Sequence, residues 1–205
     1  MYGLPQSTEI KKQLPKKAIF AKFNMPASQR ERFDADISRI DIVAVVSPTT
    51  IPAVAPGENI KEFYVLAVQL KRKDYDAKNI ALLSRLIPQK MVIALHFEEQ
   101  VQFAINHTRL ITSKWQILTP NSSFLILQGL TLDSVWDNIV ISIGDIHIKG
   151  ENTLSEQIKI EDVRAKLKAQ IDTLTQKLNK EKQFNRQIEI NVEIKALRKQ
   201  LLNLK

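Results

Sequence analysis

The chain contains no cysteine, and that one absence removes disulfides, thiolate metal sites and cysteine nucleophiles together, as fits a reducing compartment. Glycine is nearly as scarce. Only five occur in 205 residues, none grouped, so there is no phosphate-cradling glycine loop and no Gly-x-Ser-x-Gly elbow. Nucleotide hydrolysis and serine catalysis therefore have no support. No uninterrupted apolar run approaches the ~20 residues of a membrane span, and Met1-Tyr2-Gly3-Leu4-Pro5-Gln6 lacks the charged-then-apolar order of a secretory signal. A cytoplasmic protein without membrane contact is the expectation.

What is present is ordinary globular material: 44% hydrophobic and 25% charged residues, enough apolar surface to fold one domain with an appendage. The net charge of +8 is unevenly placed. Residues 1–32 carry seven basic against two acidic side chains, residues 33–150 eleven against twelve, and residues 151–205 twelve against eight. The basic excess sits at the two ends, where it favours anionic partners.

Residues 8–14 predict a short helix capped by Ser7 or Thr8 and stopped by Pro15. Pro26 suits a first helical turn, and Phe33, Ile37 and Ile40 recur at helical spacing. Residues 39–46 and 62–70 are rich in β-branched and apolar residues and predict buried strands, separated by a loop holding Pro48, Pro52, Pro56 and Gly57. Ile80, Leu83, Leu86 and Ile87 mark a helix closed by Pro88, and residues 90–97 form a further strand. Strand, helix, strand in this order predicts a parallel crossover. One or two strands are expected over residues 100–111 and another over 124–127, with Trp115 plugging the core between them. A capped helix follows Thr131, burying Leu132, Val135, Trp136 and Ile139, and Gly150 marks a break. The fold class expected is α+β or α/β over residues 1–150: a mixed sheet with packed helices.

Residues 151–205 contain neither glycine nor proline. Leu167, Ile171, Leu174 and Leu178 step by four, three and four, as a coiled-coil seam does, and Ile190, Ile194, Leu197, Leu201 and Leu204 form a second seam. Leu178 and Ile194 lie sixteen residues apart, two more than whole heptads allow, so the phase breaks within residues 179–187. An antiparallel helical hairpin explains the break best; the rival is one long helix with a heptad skip. Such an appendage predicts a docking surface or a homo-oligomer seam, with Leu167, Ile171, Leu174, Leu178, Ile190, Ile194, Leu197 and Leu201 as the partner-binding residues.

Candidate chemistry is thin. His96, Glu98, Glu99, His107, Asp145 and His147 are metal-ligand types, and His96 and Glu98 are expected on one strand face, but their spacing matches no metal pattern, so neither metal nor cofactor is assigned. Asp41 with Gln69-Leu70-Lys71 resembles the acid and (acid or amide)-x-Lys arrangement of restriction-type nucleases, in which carboxylates hold a divalent cation and a lysine steadies the attacking water. Only one clear carboxylate is present, so catalysis by Asp41, Gln69 and Lys71 stands as the alternative and a non-enzyme as the main expectation. Lys11, Lys12, Lys16, Lys17 and Lys22 around Phe20 and Phe23, with Lys71, Arg72 and Lys73, are candidate DNA-phosphate contacts. The same pattern also describes a solvated face with aromatics turned inward.

Residues 66–80, the Pro88-Gln89-Lys90-Met91 step and the Lys182-Gln183-Phe184-Asn185-Arg186 turn resemble an uncharacterised bacterial domain-of-unknown-function family. The resemblance covers most of the chain. It implies a gene neighbourhood of helicases and methyltransferases in restriction-like, phage-defence loci, and hence an accessory protein binding a helicase or methyltransferase. It carries over no catalytic residue. A stand-alone nucleic-acid-binding module remains a further alternative.

Overall fold

Within Ile37–Val46 the residues from Ile40 onward alternate buried and half-exposed positions, as a strand with one face in a core must. The computed structural model describes residues 1–119 and 122–204. It places this strand, β2, second in a seven-stranded mixed sheet of order β1-β2-β3-β4-β5-β6, with β7 also pairing β5. The strands are β1 (Glu9–Gln13), β2, β3 (Phe63–Leu70), β4 (Lys90–Phe97), β5 (Gln100–Asn106), β6 (Leu110–Thr112) and β7 (Gln116–Ile117). The β3–β4 pair is parallel, with Ala67 opposite Ala94, and the other pairs are antiparallel. The crossover expected from the strand, helix, strand order is present.

The helix expected over residues 8–14 is not. A single 3-10 turn at Gln6–Thr8 leads into β1, which pairs with β2, and the Leu14 amide extends that ladder to the Ile40 carbonyl at 2.9 Å. Ile10 and Leu14 lie four apart, a spacing that fits one helical face and one strand face equally, and packing against the sheet's core decides for the strand. Helix α1 (Lys16–Lys22) follows Pro15, and α2 (Ala27–Asp36) follows Pro26, which caps the helix instead of entering its first turn. Ile37 and Ile40 belong to β2, not to the helix. Helix α3 (Ala77–Leu83) stops before Leu86 and Ile87, which lie in the turn after it.

Helices α1, α2 and α3 cover one face of the sheet. Ile19, Phe33, Ile80 and Leu83 are buried there against Ile40, Leu66, Val68, Ile93 and Leu95. Each such side chain contributes roughly 1.5–3 kcal/mol through burial. Helix α4 (Leu132–Gly144) covers part of the other face, where Trp136 packs on Phe63 at 5.4 Å between ring centroids. Thr131 and Ser134 form its capping box, and Asp145 ends it in the left-handed conformation at φ 50°. Tyr2 stands edge-on to Phe103, which also meets Phe124. Residues 124–127 form no strand: the amides of Phe124 and Leu125 both donate to the Tyr2 carbonyl. Trp115 is half-buried at the core's edge beneath the Lys73 ammonium, 5.3 Å from its ring centroid, and is no central plug.

Two carboxylates tie distant segments of this unit together. Asp36, fully buried at the end of α2, accepts from Arg72, from the Asp76 amide at 2.8 Å and from the Asn79 side chain at 2.8 Å. Asp133, in the first turn of α4, accepts from the amides of Glu58, Asn59 and Ile60 at 2.8, 3.1 and 2.8 Å, pinning the proline-rich loop. Gly57 is required beside it, because a Cβ there would meet an Asp133 oxygen at 2.2 Å.

The chain divides into two compact units, Met1–Ile146 and His147–Lys205. In the second, α5 (Leu154–Lys180) and α6 (Phe184–Asn203) form a helical hairpin. Thr153 and Glu156 make the capping box that starts α5. The reversal occupies residues 181–183, where the Glu181 carboxylate accepts from the amides of Lys182 and Gln183 and the Gln187 side chain bonds the Glu181 carbonyl. The single long helix is thereby excluded.

Candidate functional site

Strand register places the nuclease-like residues. Asp41 lies opposite Ala67 and Arg39 opposite Gln69, so Asp41 and Gln69 share one face of adjacent antiparallel strands. Gln69 in turn lies beside His96 on β4 and donates to its carbonyl at 3.5 Å. Lys71 follows β3 directly, its amide bonded to the Asp36 carbonyl at 2.8 Å, and its side chain is exposed. Asp41 is already engaged: both its oxygens accept from the Arg39 guanidinium, at 2.7 and 3.0 Å. That bond holds the guanidinium above its ordinary pKa, first through hydrogen bonding and then through charge. A groove of about 300 Å³ borders Asp41, lined by Met1, Glu9, Lys11, Arg39, Val43 and Ala67 among others.

The metal-ligand types do not converge. Among the described residues no three His, Asp or Glu side chains form a group able to hold a metal ion. Strand β4 ends at Phe97, so Glu98 sits in the turn at φ 51° and does not share a strand face with His96, contrary to expectation. His96 is instead hydrogen-bonded to the Tyr2 hydroxyl. Burial pushes the Tyr2 phenol up and the His96 imidazole down, so both are neutral near pH 7. At the opposite end of the sheet, burial and the Lys90 charge lower His107, while burial raises Asp137.

The basic candidates separate into two kinds. Lys16 is bonded to the Asp34 carboxylate and the Ile37 carbonyl, Lys22 to the Leu86 carbonyl, Arg72 to Asp36, and Lys73 to the Gln100 side chain. Each of these four makes at least one bond within the unit. Lys11 and Lys12 on the edge strand, Lys17 on α1 and Lys71 are exposed. Phe20 is half-buried against Phe33, with Arg30 over its ring, and Phe23 also packs on the core. The aromatics thus turn inward and offer no stacking platform for bases.

In the hairpin, Leu167, Ile171 and Ile194 are buried, while Leu174, Leu178, Ile190, Leu197 and Leu201 are half-buried. The seam is occupied by its own two arms. What the seam periodicity did not reveal is a second row on α6: Phe184, Ile188 and Val192, spaced by four, are 72%, 47% and 62% exposed. The signal was in the sequence as an i, i+4, i+8 series, but Phe184 fell within the segment assigned to the turn.

A two-unit α+β protein with a sheet-based body and a helical hairpin is therefore defined. The family model described as Domain of unknown function (DUF4391) matches residues 2–201, and the chain belongs to that family. Comparison with curated proteins and with solved structures gave no match.

Proposed function

We propose that this chain is a non-enzymatic accessory protein of a bacterial restriction-like or phage-defence system, docking a helicase or methyltransferase of the same locus through its hairpin. The observation that carries the reading is the exposed row Phe184, Ile188 and Val192 on α6. Solvating three large apolar side chains on one helix face is unfavourable, and such rows mark protein contacts. The inner seam supplies the hairpin's own stability, so the outer row is the contact surface. DNA contact by the exposed Lys11, Lys12, Lys17 and Lys71 is secondary and salt-sensitive. The test is capture of the tagged chain from its host, with half the lysate nuclease-treated. The helicase or methyltransferase is expected in both halves for the natural chain and in neither for Ile188→Glu/Val192→Glu. Recovery only without nuclease would mean that nucleic acid bridges the complex and would refute direct docking.

A second reading, a divergent metal-dependent nuclease, is favoured by one observation: Asp41 and Gln69 share a sheet face, with Lys71 two residues further on. The Arg39 clamp on Asp41 must open before a cation can bind there. Magnesium- or manganese-stimulated plasmid cleavage that disappears in Lys71→Ala would establish this reading, and absence of cleavage in the natural chain would remove it.

A further inference from the structure

The helical layer over the sheet has a gap. Helix α1 spans only seven residues and α3 ends at Leu83, and between α1 and the turn after α3 lies a cavity of about 200 Å³ that reaches the sheet. Its floor is Ile42, Leu66 and Met91, one residue from each of three adjacent strands. Its walls come from Leu14, Pro15, Ala18 and Ile19 on one side and Leu86 and Ile87 on the other. Every lining residue is apolar except Lys22.

Such a space leaves its lining side chains without the dispersion contacts that a close-packed core would make, and it opens to solvent beside Ala18 and Lys22, both exposed. The polar feature is as specific as the apolar one. Lys22 donates one ammonium proton to the Leu86 carbonyl, which anchors its charged end to the cavity's own wall. Two protons remain for a further acceptor. No acidic side chain lines the cavity to neutralise that charge. We propose that this cavity is a binding site for a small monocarboxylate with a compact aromatic or branched apolar body, the body resting on Ile42, Leu66 and Met91 and the carboxylate on Lys22. The site is independent of the docking face on α6. It gives Lys22 a role other than contact with nucleic acid.

The probes are phenylacetate and its uncharged counterpart 2-phenylethanol, titrated into the 15N-labelled full chain and followed by amide shifts. Phenylacetate is expected to move the amides of Ile19, Lys22 and Ile87 and to bind about fivefold more tightly than the alcohol, the scale of an ion pair at a solvent-accessible rim. Lys22→Gln removes the charge and should make the two probes equal. Ala18→Leu fills the mouth and should abolish both. If Ala18→Leu fails to fold, the acid-to-alcohol ratio in the natural chain and in Lys22→Gln decides alone. Absence of localised shifts with phenylacetate, or equal binding of acid and alcohol by the natural chain, would overturn the proposal.

Discussion

The two units of this chain are stabilised by different means. The body closes through contacts distant in sequence, and its layers are fastened by two carboxylates that gather donors from segments tens of residues away. The hairpin closes through neighbours, with a three-residue reversal and one apolar seam. Long-range polar ties make the body's geometry specific, most of all at Asp36, where the carboxylate and Asn79 are buried and would be left unsatisfied if the tie broke. A two-helix seam is permissive by contrast: its buried residues on α6 reduce to Ile194, at 5% exposure, and the remainder are shared with solvent. The lesson is that one chain can pair a rigid scaffold with an element whose order depends on a few side chains.

The largest effect that breaks the comparison should come from Asp36. Asp36→Ala leaves Arg72, the Asp76 amide and Asn79 without their acceptor, and urea unfolding is expected to show a loss of about 2–4 kcal/mol, the Arg72 head being largely solvated. The same residue gives the body an acid limit. Burial alone would raise its carboxyl, but the hydrogen bonds from Asp76, Arg72 and Asn79, with the Arg72 charge, hold it below its ordinary value. Its contribution is therefore complete above the unfolded carboxyl pKa near ~4 and is lost as pH falls through the lower folded value. Denaturation followed from pH 6 downward should show this loss, and Asp36→Ala should lack it.

Next in size is Ile194→Asp, which places a charge in the seam. We expect a loss of helix signal by circular dichroism, with the amide resonances of the sheet from Ile40 to Leu95 unmoved, at a cost to the hairpin of about 2–3 kcal/mol. Loss of the sheet signals as well would show that the two units do not differ as argued. Asp133→Ala should release residues 57–60 and cost about 1–2 kcal/mol, read as faster amide exchange at Asn59 and Ile60. The smallest effect belongs to Thr153→Ala, which removes the cap of α5 and should cost about 0.5–1 kcal/mol in thermal denaturation.

How much of this was legible depended on the range of the interaction. The crossover from β3 to β4, the capped α4 and the phase break between α5 and α6 are local patterns, and each is where periodicity put it. Strand β1 was illegible because Ile10 and Leu14 fit either period, and only the β2 partner distinguishes them. The Asp36 and Asp133 ties carry no local signature, since an acid at a helix end looks alike whether it is solvated or bonded across the fold. At the candidate site, the seam residues were readable but their neighbours were not: Phe184, Ile188 and Val192 were hidden by the stronger stripe beside them. Basic residues misled for the opposite reason, because a lysine bonded to a carbonyl, as Lys22 is, reads in sequence like a free one.

Strand β1 bears on how the protein behaves when concentrated. It is the outermost strand at one end of the sheet, and Lys11 and Lys12 stand exposed on it. Charged edge residues of this kind oppose edge-to-edge pairing and the fibrillar association that follows from it. Neutralising both lysines should therefore lower the concentration at which the protein aggregates, whatever else those lysines touch.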